Sequence, residues 1–137
     1  GVENGRDAAE FILLGGDTVQ VCTGVMKFGY EMVKPMCEEL LAFMQKLGTA
    51  RRDHPALHAG QRSTLFVDDD LLIMQRVAEG RSALIVINRG SARQQNVTPN
   101  FGTGSHTLRD IFTGQTLTVT GTVGLQLPAR SIQVWVD

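Results

Sequence analysis

Lysine is absent from this 137-residue sequence after Lys46. All three lysines lie at or before that position, whereas nine of the ten arginines lie at or after Arg51. A single gene drifting under one codon bias seldom separates its two basic residue types so cleanly. The change therefore indicates two segments of different origin, joined within the stretch LGTARRDHPAL at residues 47–57.

Cysteine is also scarce. Cys22 and Cys37 are the only two, and neither belongs to a CxxC or Cys/His arrangement, so we expect no metal site. The two thiols could pair with each other. The simpler expectation is two free thiols, buried or partly buried, in a reducing compartment, which favours a cytoplasmic protein.

Long apolar runs and charge of one sign are missing too. No stretch of about 18 apolar residues could span a membrane, and no signal-peptide pattern opens the sequence. The formal net charge is −1 with no basic patch, so neither nucleic acid nor a membrane surface is an expected partner. The composition, 42% hydrophobic and 20% charged, is that of a soluble globular protein.

The first third of the sequence reads as helix, strand and helix. Residues 5–14 form an amphipathic pattern with Asn4 as N-cap and Gly15 after the end. Residues 17–22 are β-branched and apolar, as a buried strand requires. Apolar residues then recur every three or four positions from Tyr30 to Leu47, with Pro35 near the helix start.

The remaining residues predict short antiparallel strands. Turn signals separate apolar segments at regular intervals, which is typical of a Greek-key β-sandwich. The predicted strands cover residues 62–67, 71–77, 83–88, 95–98, 107–112, 116–120, 124–127 and 132–136. We therefore predict an α+β protein with a helix–strand–helix domain at residues 1–58 and a β-sandwich at residues 59–137.

Three segments of the first domain carry a family resemblance. VENGRDAAEF at 2–11, QVCTGVM at 20–26 and YEMVKPMCEEL at 30–40 resemble the end of the FMN-binding (β/α)8 barrel of dihydropyrimidine dehydrogenases. The resemblance covers about residues 1–47. It implies that Cys22, Thr23 and Gly24 keep a residual phosphate-binding loop. That family's catalytic cysteine, flavin-ring contacts and iron–sulfur ligands have no counterpart here, so FMN binding is not expected to survive.

The rest of the chain resembles a second family. LGTARRDHPAL at 47–57 is similar to the last barrel helix of α-amylase-family enzymes of the neopullulanase or cyclomaltodextrinase type. Their C-terminal β-sandwich is resembled by TLFVDDDL at 64–71, IVINR at 85–89, RDIFTG at 109–114 and LPARS at 127–131. The catalytic carboxylates of that family lie on barrel strands without a counterpart here, so glycosidase activity is not implied. The two resemblances together indicate a chimera spliced in the eighth barrel helix.

Four features of the sequence could carry chemistry, but each favours a structural interpretation. Asp68, Asp69 and Asp70 are consecutive and so cannot easily converge on a cation. His54 and His58 are separated by Pro55, which interrupts the helix they would share. His106 follows a Gly-rich loop that lacks the Lys and the helix of a phosphate-binding loop, so a hairpin loop is expected. Cys22 could be a reactive thiol, although its place in the resemblance is the phosphate loop.

The helical segment predicts self-association. A barrel fragment without its neighbouring strands exposes apolar side chains that are too extensive to remain in water. The strand at Thr18–Cys22 could also pair with its symmetry mate. We expect a homodimer or higher oligomer whose interface includes Phe11, Ile12, Val33, Met36, Leu40, Phe43 and Met44.

Three functions remain open from the sequence. The favoured one is a non-enzymatic, self-associating chimeric domain without catalytic residues. The second is a selected or promiscuous hydrolase or phosphoester-binding protein that holds phosphate or sulfate at Cys22–Gly24. The third is a carbohydrate-associated module, for which only Trp135 and Tyr30 could provide a strong stacking platform, and Trp135 is expected in the core.

Overall fold

Helices occupy the first part of the chain and strands occupy the rest. The computed structural model describes residues 1–13 and 15–137. These residues form two compact units, Gly1–Thr49, here called the helical unit, and Ala50–Asp137, the strand unit. The predicted α+β class is confirmed. The domain boundary predicted after residue 58 separates two segments of different origin, and it stays a prediction.

Four α-helices and one short 3-10 helix lie in the described residues. They are α1 (Gly5–Leu13), α2 (Thr23–Phe28), the 3-10 helix Tyr30–Met32, α3 (Val33–Asp53) and α4 (Pro55–His58). Helix α3 has Pro35 in its first turn, where a missing N–H costs least, and ends at Asp53, just before His54 and Pro55. The predicted end of the first helix, Leu14, lies outside the described residues. No helix in the described part of the chain is both long and apolar enough to cross a membrane.

Helix α1 is fixed at its N-terminus by three carboxylate or amide side chains. Asn4 Oδ1 accepts the Asp7 N–H at 2.9 Å, which confirms Asn4 as the N-cap, and Asp7 Oδ2 accepts the Glu3 N–H at 2.9 Å. Glu39 of α3 reaches across to accept the Gly5 N–H at 2.8 Å. A Cβ at Gly5 would collide with the α3 backbone at Met36 and Leu40, so α1 and α3 approach more closely than any other residue would allow.

The strand predicted at residues 17–22 is wrong. The segment from Thr18 to Val21 has no regular secondary structure, and Thr18, Gln20 and Cys22 are exposed. A strand needs a neighbour for its backbone N–H and C=O groups, and the described strands begin only at Gln61. The β-propensity of this segment is therefore not sufficient, because no described strand lies beside it to form backbone hydrogen bonds. In its described residues, the predicted helix–strand–helix unit contains helices but no strand.

The strand unit contains eight antiparallel strands. They are β1 (Gln61–Val67), β2 (Leu71–Ala78), β3 (Arg81–Asn88), β4 (Arg93–Val97), β5 (His106–Asp110), β6 (Thr116–Val119), β7 (Val123–Leu127) and β8 (Ser131–Val136). A six-stranded sheet has the order β1-β2-β3-β8-β5-β6, and β4 pairs with β7 in a two-stranded sheet. Glu79 and Gly80, with φ of 53° and 74°, form the tight turn between β2 and β3.

The core lies between the two sheets. Its fully or nearly buried side chains come from both, including Ile73 and Leu84 on the large sheet and Leu125 and Leu127 on the small one. Trp135 belongs to this cluster, as the alternating pattern of β8 predicted. Helix α4 packs against β2 and β3 of the large sheet.

Candidate functional site

The predicted phosphate-binding residues lie at the start of α2. Cys22 is the N-cap residue and makes no side-chain capping bond, while its carbonyl accepts the Met26 N–H at 3.1 Å. Cys22 and Thr23 are exposed and Gly24 is buried. The position of a Gly24 Cβ lies 2.8 Å from the Val2 carbonyl oxygen, so only glycine fits this turn.

The surroundings of this turn contribute little positive charge. Lys27, the basic residue of α2, forms an ion pair with Glu3 at 2.8 Å. That hydrogen bond and the lysine charge hold the pKa of the Glu3 carboxyl below its usual value. The segment thus offers the first turn of a six-residue helix to an anion, but the ammonium of Lys27 is already neutralised.

The structure shows the pairing and the exposure of the two cysteines. Cys22 and Cys37 are free, but both are exposed, so the expectation that they are buried or partly buried is wrong. Cys22 is exposed because the strand expected to bury it does not form. Cys37 lies on the solvent side of α3.

The predicted association residues are partly exposed. Phe11, Val33 and Met44 are exposed, and Ile12, Met36 and Leu40 are half-buried. Phe43 is 7% exposed, which corrects its expected exposure. It follows Met36 and Leu40 by seven and three residues and so lies on the face of α3 that carries the two residues in contact with Gly5 of α1.

Four exposed apolar or aromatic side chains of the helical unit were not in the predicted interface. Tyr30 is 84% exposed and Met26 is 81% exposed, the largest values among the exposed large hydrophobic residues. Phe28 and Leu41 are also more than half exposed. Leu41 lies one position beyond the apolar stripe that the three-and-four spacing identified, and Met26, Phe28 and Tyr30 belong to short helices without enough residues for a stripe.

The two predicted histidines of the strand unit do not converge. His58 is exposed, whereas His54 is buried at the N-terminus of α4. His54 Nε2 lies 3.0 Å from Asp137 Oδ1. Asp137 also accepts hydrogen bonds from Arg81 Nε at 2.7 Å and from the Ser82 N–H at 2.8 Å. The four residues form one cluster, here called the His54 anchor, that joins α4, β3 and the end of β8.

The charge of Asp137 dominates the His54 anchor. Burial opposes ionisation of this carboxyl most strongly, but the hydrogen bonds from Arg81, His54 and Ser82 outweigh it and hold the Asp137 pKa below its usual value. Ser82, His54 and Asp137 superficially match the residues of a catalytic triad. However, Ser82 Oγ and His54 Nδ1 are both buried and without a partner in the described part of the chain. A nucleophile without its base and without access to solvent cannot act on a substrate, so the cluster is structural.

The acidic turn at Asp68–Asp70 is neutralised by two arginines. Asp68 Oδ1 accepts the N–H groups of Asp70 and Leu71, and Oδ2 pairs with Arg93 at 2.7 Å. The hydrogen bond from Arg93 is the main reason that the Asp68 pKa lies below its usual value. Asp70 pairs with Arg89 at 3.2 Å. Within residues 1–13 and 15–137, no group of three or more His, Cys, Asp or Glu side chains could hold a metal ion.

The Gly-rich segment before His106 is a connection between sheets. Gly102 and Gly104 have φ of 103° and 107°, which only glycine adopts readily. The segment joins β4 of the small sheet to β5 of the large one, so the predicted hairpin loop is wrong. The His106 ring packs edge-on against Phe101, with ring centroids 5.7 Å apart. The conformation of this segment is thus explained by its path from one sheet to the other.

Comparison with known proteins finds sequence relatives in two classes. The chain is 47% identical over 85 residues to the chloroplastic dihydropyrimidine dehydrogenase (NADP+) of Arabidopsis thaliana, covering 59% of this chain and 20% of that protein. It is 46% identical over 48 residues to the NAD-dependent dihydropyrimidine dehydrogenase subunit PreA of Escherichia coli K12, covering 35% of the chain and 12% of the relative. It is also 32% identical over 59 residues to a cyclomaltodextrin glucanotransferase of Klebsiella oxytoca, covering 43% and 9%. No protein-family model matches the chain.

The solved structures with a similar fold include an α-amylase and a cyclomaltodextrin glucanotransferase. An Anoxybacillus α-amylase matches with a TM-score of 0.64 at 23% identity, covering 72% of this chain and 22% of that one. The cyclomaltodextrin glucanotransferase CldA, which has a three-domain ABC distribution, matches with a TM-score of 0.57 at 27% identity, covering 69% and 21%.

Both predicted resemblances are therefore confirmed. The chain spans about a fifth or less of the length of the curated relatives described above. Its sequence resembles dihydropyrimidine dehydrogenases, and its fold and part of its sequence resemble α-amylase-family enzymes.

Proposed function

We propose that this chain is a non-catalytic protein that associates with a second copy of itself through the helical unit. The observation that carries the proposal is the set of exposed apolar side chains in that unit. They are Phe11, Met26, Phe28, Tyr30, Val33, Leu41 and Met44. In the strand unit, Val67 is the one large hydrophobic residue of comparable exposure among the described residues.

The energy available from these side chains supports association. Fully burying a Leu, Met or Phe side chain contributes about 1.5–3 kcal/mol. Joining two molecules costs about 4–15 kcal/mol in lost translational and rotational freedom. Seven such residues on each of two copies would contribute about 21–42 kcal/mol if all were fully buried, so burial of most of them exceeds that cost. A symmetric dimer is the simplest arrangement because the same patch then serves both partners.

The use of the polar side chains supports the absence of catalysis. The buried ionisable and hydroxyl groups of the strand unit hold its own elements together, as in the His54 anchor and in Asp110, which accepts hydrogen bonds from Thr113 and Val134. The acidic turn is neutralised internally as well. Asp110 also lines an open surface pocket beside Arg109, but both of its carboxylate oxygens are taken up by Thr113 and Val134 within the fold.

We further propose that the chain is a chimera. The change from lysine to arginine falls within helix α3, which begins in the helical unit and ends in the strand unit. A helix tolerates a splice if its apolar stripe stays in phase. The free and exposed Cys22 and Cys37 fit a reducing, cytoplasmic compartment.

Anion binding at Cys22–Gly24 is a second candidate function, favoured by one observation. Gly24 is buried in a turn that excludes any side chain, and its neighbour Thr23 is exposed in the first turn of α2. Phosphate held there would stabilise the chain in a way that depends on Thr23.

Light scattering coupled to size-exclusion chromatography tests the main proposal. At micromolar concentration we expect a mass of at least twice the 14.9 kDa chain mass. Replacing Phe28 by Ser and Leu41 by Gln should weaken the assembly at least tenfold. The matched control is Val67→Ser, which removes an equally exposed apolar side chain from the strand unit. A wild-type protein that elutes as a monomer contradicts the proposal.

A further inference from the structure

Two arginines lie directly opposite each other on neighbouring strands. In the register of β1 and β2, Arg62 pairs with Arg76. Directly opposed residues point to the same face of a sheet, with Cβ atoms about 4.5–5.5 Å apart. Like charges in that position repel each other, so the pair costs stability unless something neutralises it.

No carboxylate of the described chain neutralises this pair. Arg76 Nη2 donates to the Gly60 carbonyl at 3.0 Å, and Arg76 Nε is buried without a partner. Arg62 is exposed, and its side chain forms no hydrogen bond or ion pair in the part of the chain that the structure describes. The two arginines differ in this from Arg89 and Arg93, which pair with Asp70 and Asp68.

Two acidic residues close to Arg76 in the sheet register or in the sequence do not pair with it. Asp137 follows Val136, which is in register with Arg76 across Ala83 of β3, but its carboxylate is held by Arg81, His54 and Ser82. Glu79 follows Arg76 by three residues, but it occupies the β2–β3 turn with a φ of 53° and forms no ion pair among the described residues. The positive charge of Arg62 and Arg76 therefore remains available to a ligand.

We propose that Arg62 and Arg76 form a binding site for a small oxyanion of the phosphate or sulfate type. Two guanidinium groups on one face present several N–H donors, and a tetrahedral oxyanion accepts from both at once. The anion replaces the repulsion between the arginines with two charge-assisted hydrogen-bonded pairs. This site is separate from Cys22–Gly24 and does not depend on self-association.

Thermal unfolding at constant ionic strength tests the site. Raising phosphate from 5 to 100 mM, with potassium chloride adjusted to compensate, should raise the Tm of the full chain by about 3 °C. Sulfate should act similarly and acetate less, because acetate has two oxygens and one charge. Equal Tm values in phosphate and chloride overturn the proposal.

Substitutions of single residues show where the oxyanion binds. Arg62→Gln should abolish the rise, and Arg62→Glu should abolish it while raising the Tm without phosphate, because its carboxylate pairs with Arg76 itself. Arg109→Gln is the matched control, since Arg109 is another exposed strand arginine without a described ion pair. Both substitutions to Gln are made in a Thr23→Ala background as well, which removes any contribution of the α2 turn to the response. The proposal is overturned if Arg62→Gln keeps the full rise of its parent in either background, or if Arg109→Gln loses it.

Discussion

The charge of Asp137 holds the His54 anchor together, which makes the stability of the strand unit depend on pH. The carboxyl has a folded-state pKa below its usual value of about 3.9. Its stabilising effect is therefore fully present above the unfolded-state pKa and is lost as the pH falls through the lower folded-state pKa. Asp137→Asn keeps the shape of the side chain but removes its charge, so we expect the free energy of unfolding at pH 7 to fall by about 1–3 kcal/mol.

Urea unfolding between pH 7 and pH 2 checks this expectation. The difference between the wild type and Asp137→Asn should shrink as the pH falls, because the wild-type carboxyl becomes neutral as well. Asp69→Asn serves as the control, since Asp69 is exposed and absent from the ion pairs described above. If the difference in the free energy of unfolding stays constant from pH 7 to pH 2, the charge of Asp137 does not stabilise the fold.

The contacts of single residues were the least predictable from the sequence. His54 and Asp137 are 83 positions apart, and Arg62 faces Arg76 only because of the register of β1 and β2. Nothing in the local pattern reveals either pairing, which depends on the folded sheet. Trp135 was predictable as a core residue because alternation along a strand is a local signal.

At the scale of elements, the approach of α1 to α3 depends on Gly5. An added methyl group would meet backbone atoms of Met36 and Leu40, which cannot rotate away as a side chain can. We expect Gly5→Ala to destabilise the helical unit by about 1–3 kcal/mol, despite the higher helix propensity of alanine. Thermal unfolding followed by helical circular dichroism measures the change.

Gly48 provides the matched comparison. It lies within α3, and nothing approaches the position of its Cβ. Gly48→Ala should therefore stabilise the helix by up to about 1 kcal/mol. If both substitutions shift the unfolding midpoint in the same direction, close packing at Gly5 is not what positions α1.

Helix and strand locations were largely predictable where the signal is local. Pro35 and the sequence Asp53-His54-Pro55 bracket α3 within a few residues, and turn signals separate the eight strands of the sandwich. The strand predicted at residues 17–22 failed because strand formation also requires a neighbour, which a propensity does not supply.

At the scale of the whole molecule, the two units offer separate spectroscopic signals. Trp135 is the only tryptophan and lies in the core of the strand unit, so its fluorescence reports unfolding of the sandwich. Helical circular dichroism reports mainly the helical unit, which contains α1, α2 and most of α3. If association occurs through the helical unit, its unfolding is coupled to dissociation. The midpoint of the helical signal should then rise by several degrees between 1 and 100 μM protein.

The tryptophan signal is the internal reference for this measurement. The sandwich has its own core, so the midpoint from Trp135 should change much less over the same concentration range. Phe28→Ser combined with Leu41→Gln should remove the concentration dependence of the helical signal and leave the tryptophan midpoint in place, because both residues lie outside the strand unit. Two midpoints that coincide and do not change with protein concentration would mean that the chain unfolds as one cooperative body without coupled dissociation, which contradicts association through the helical unit.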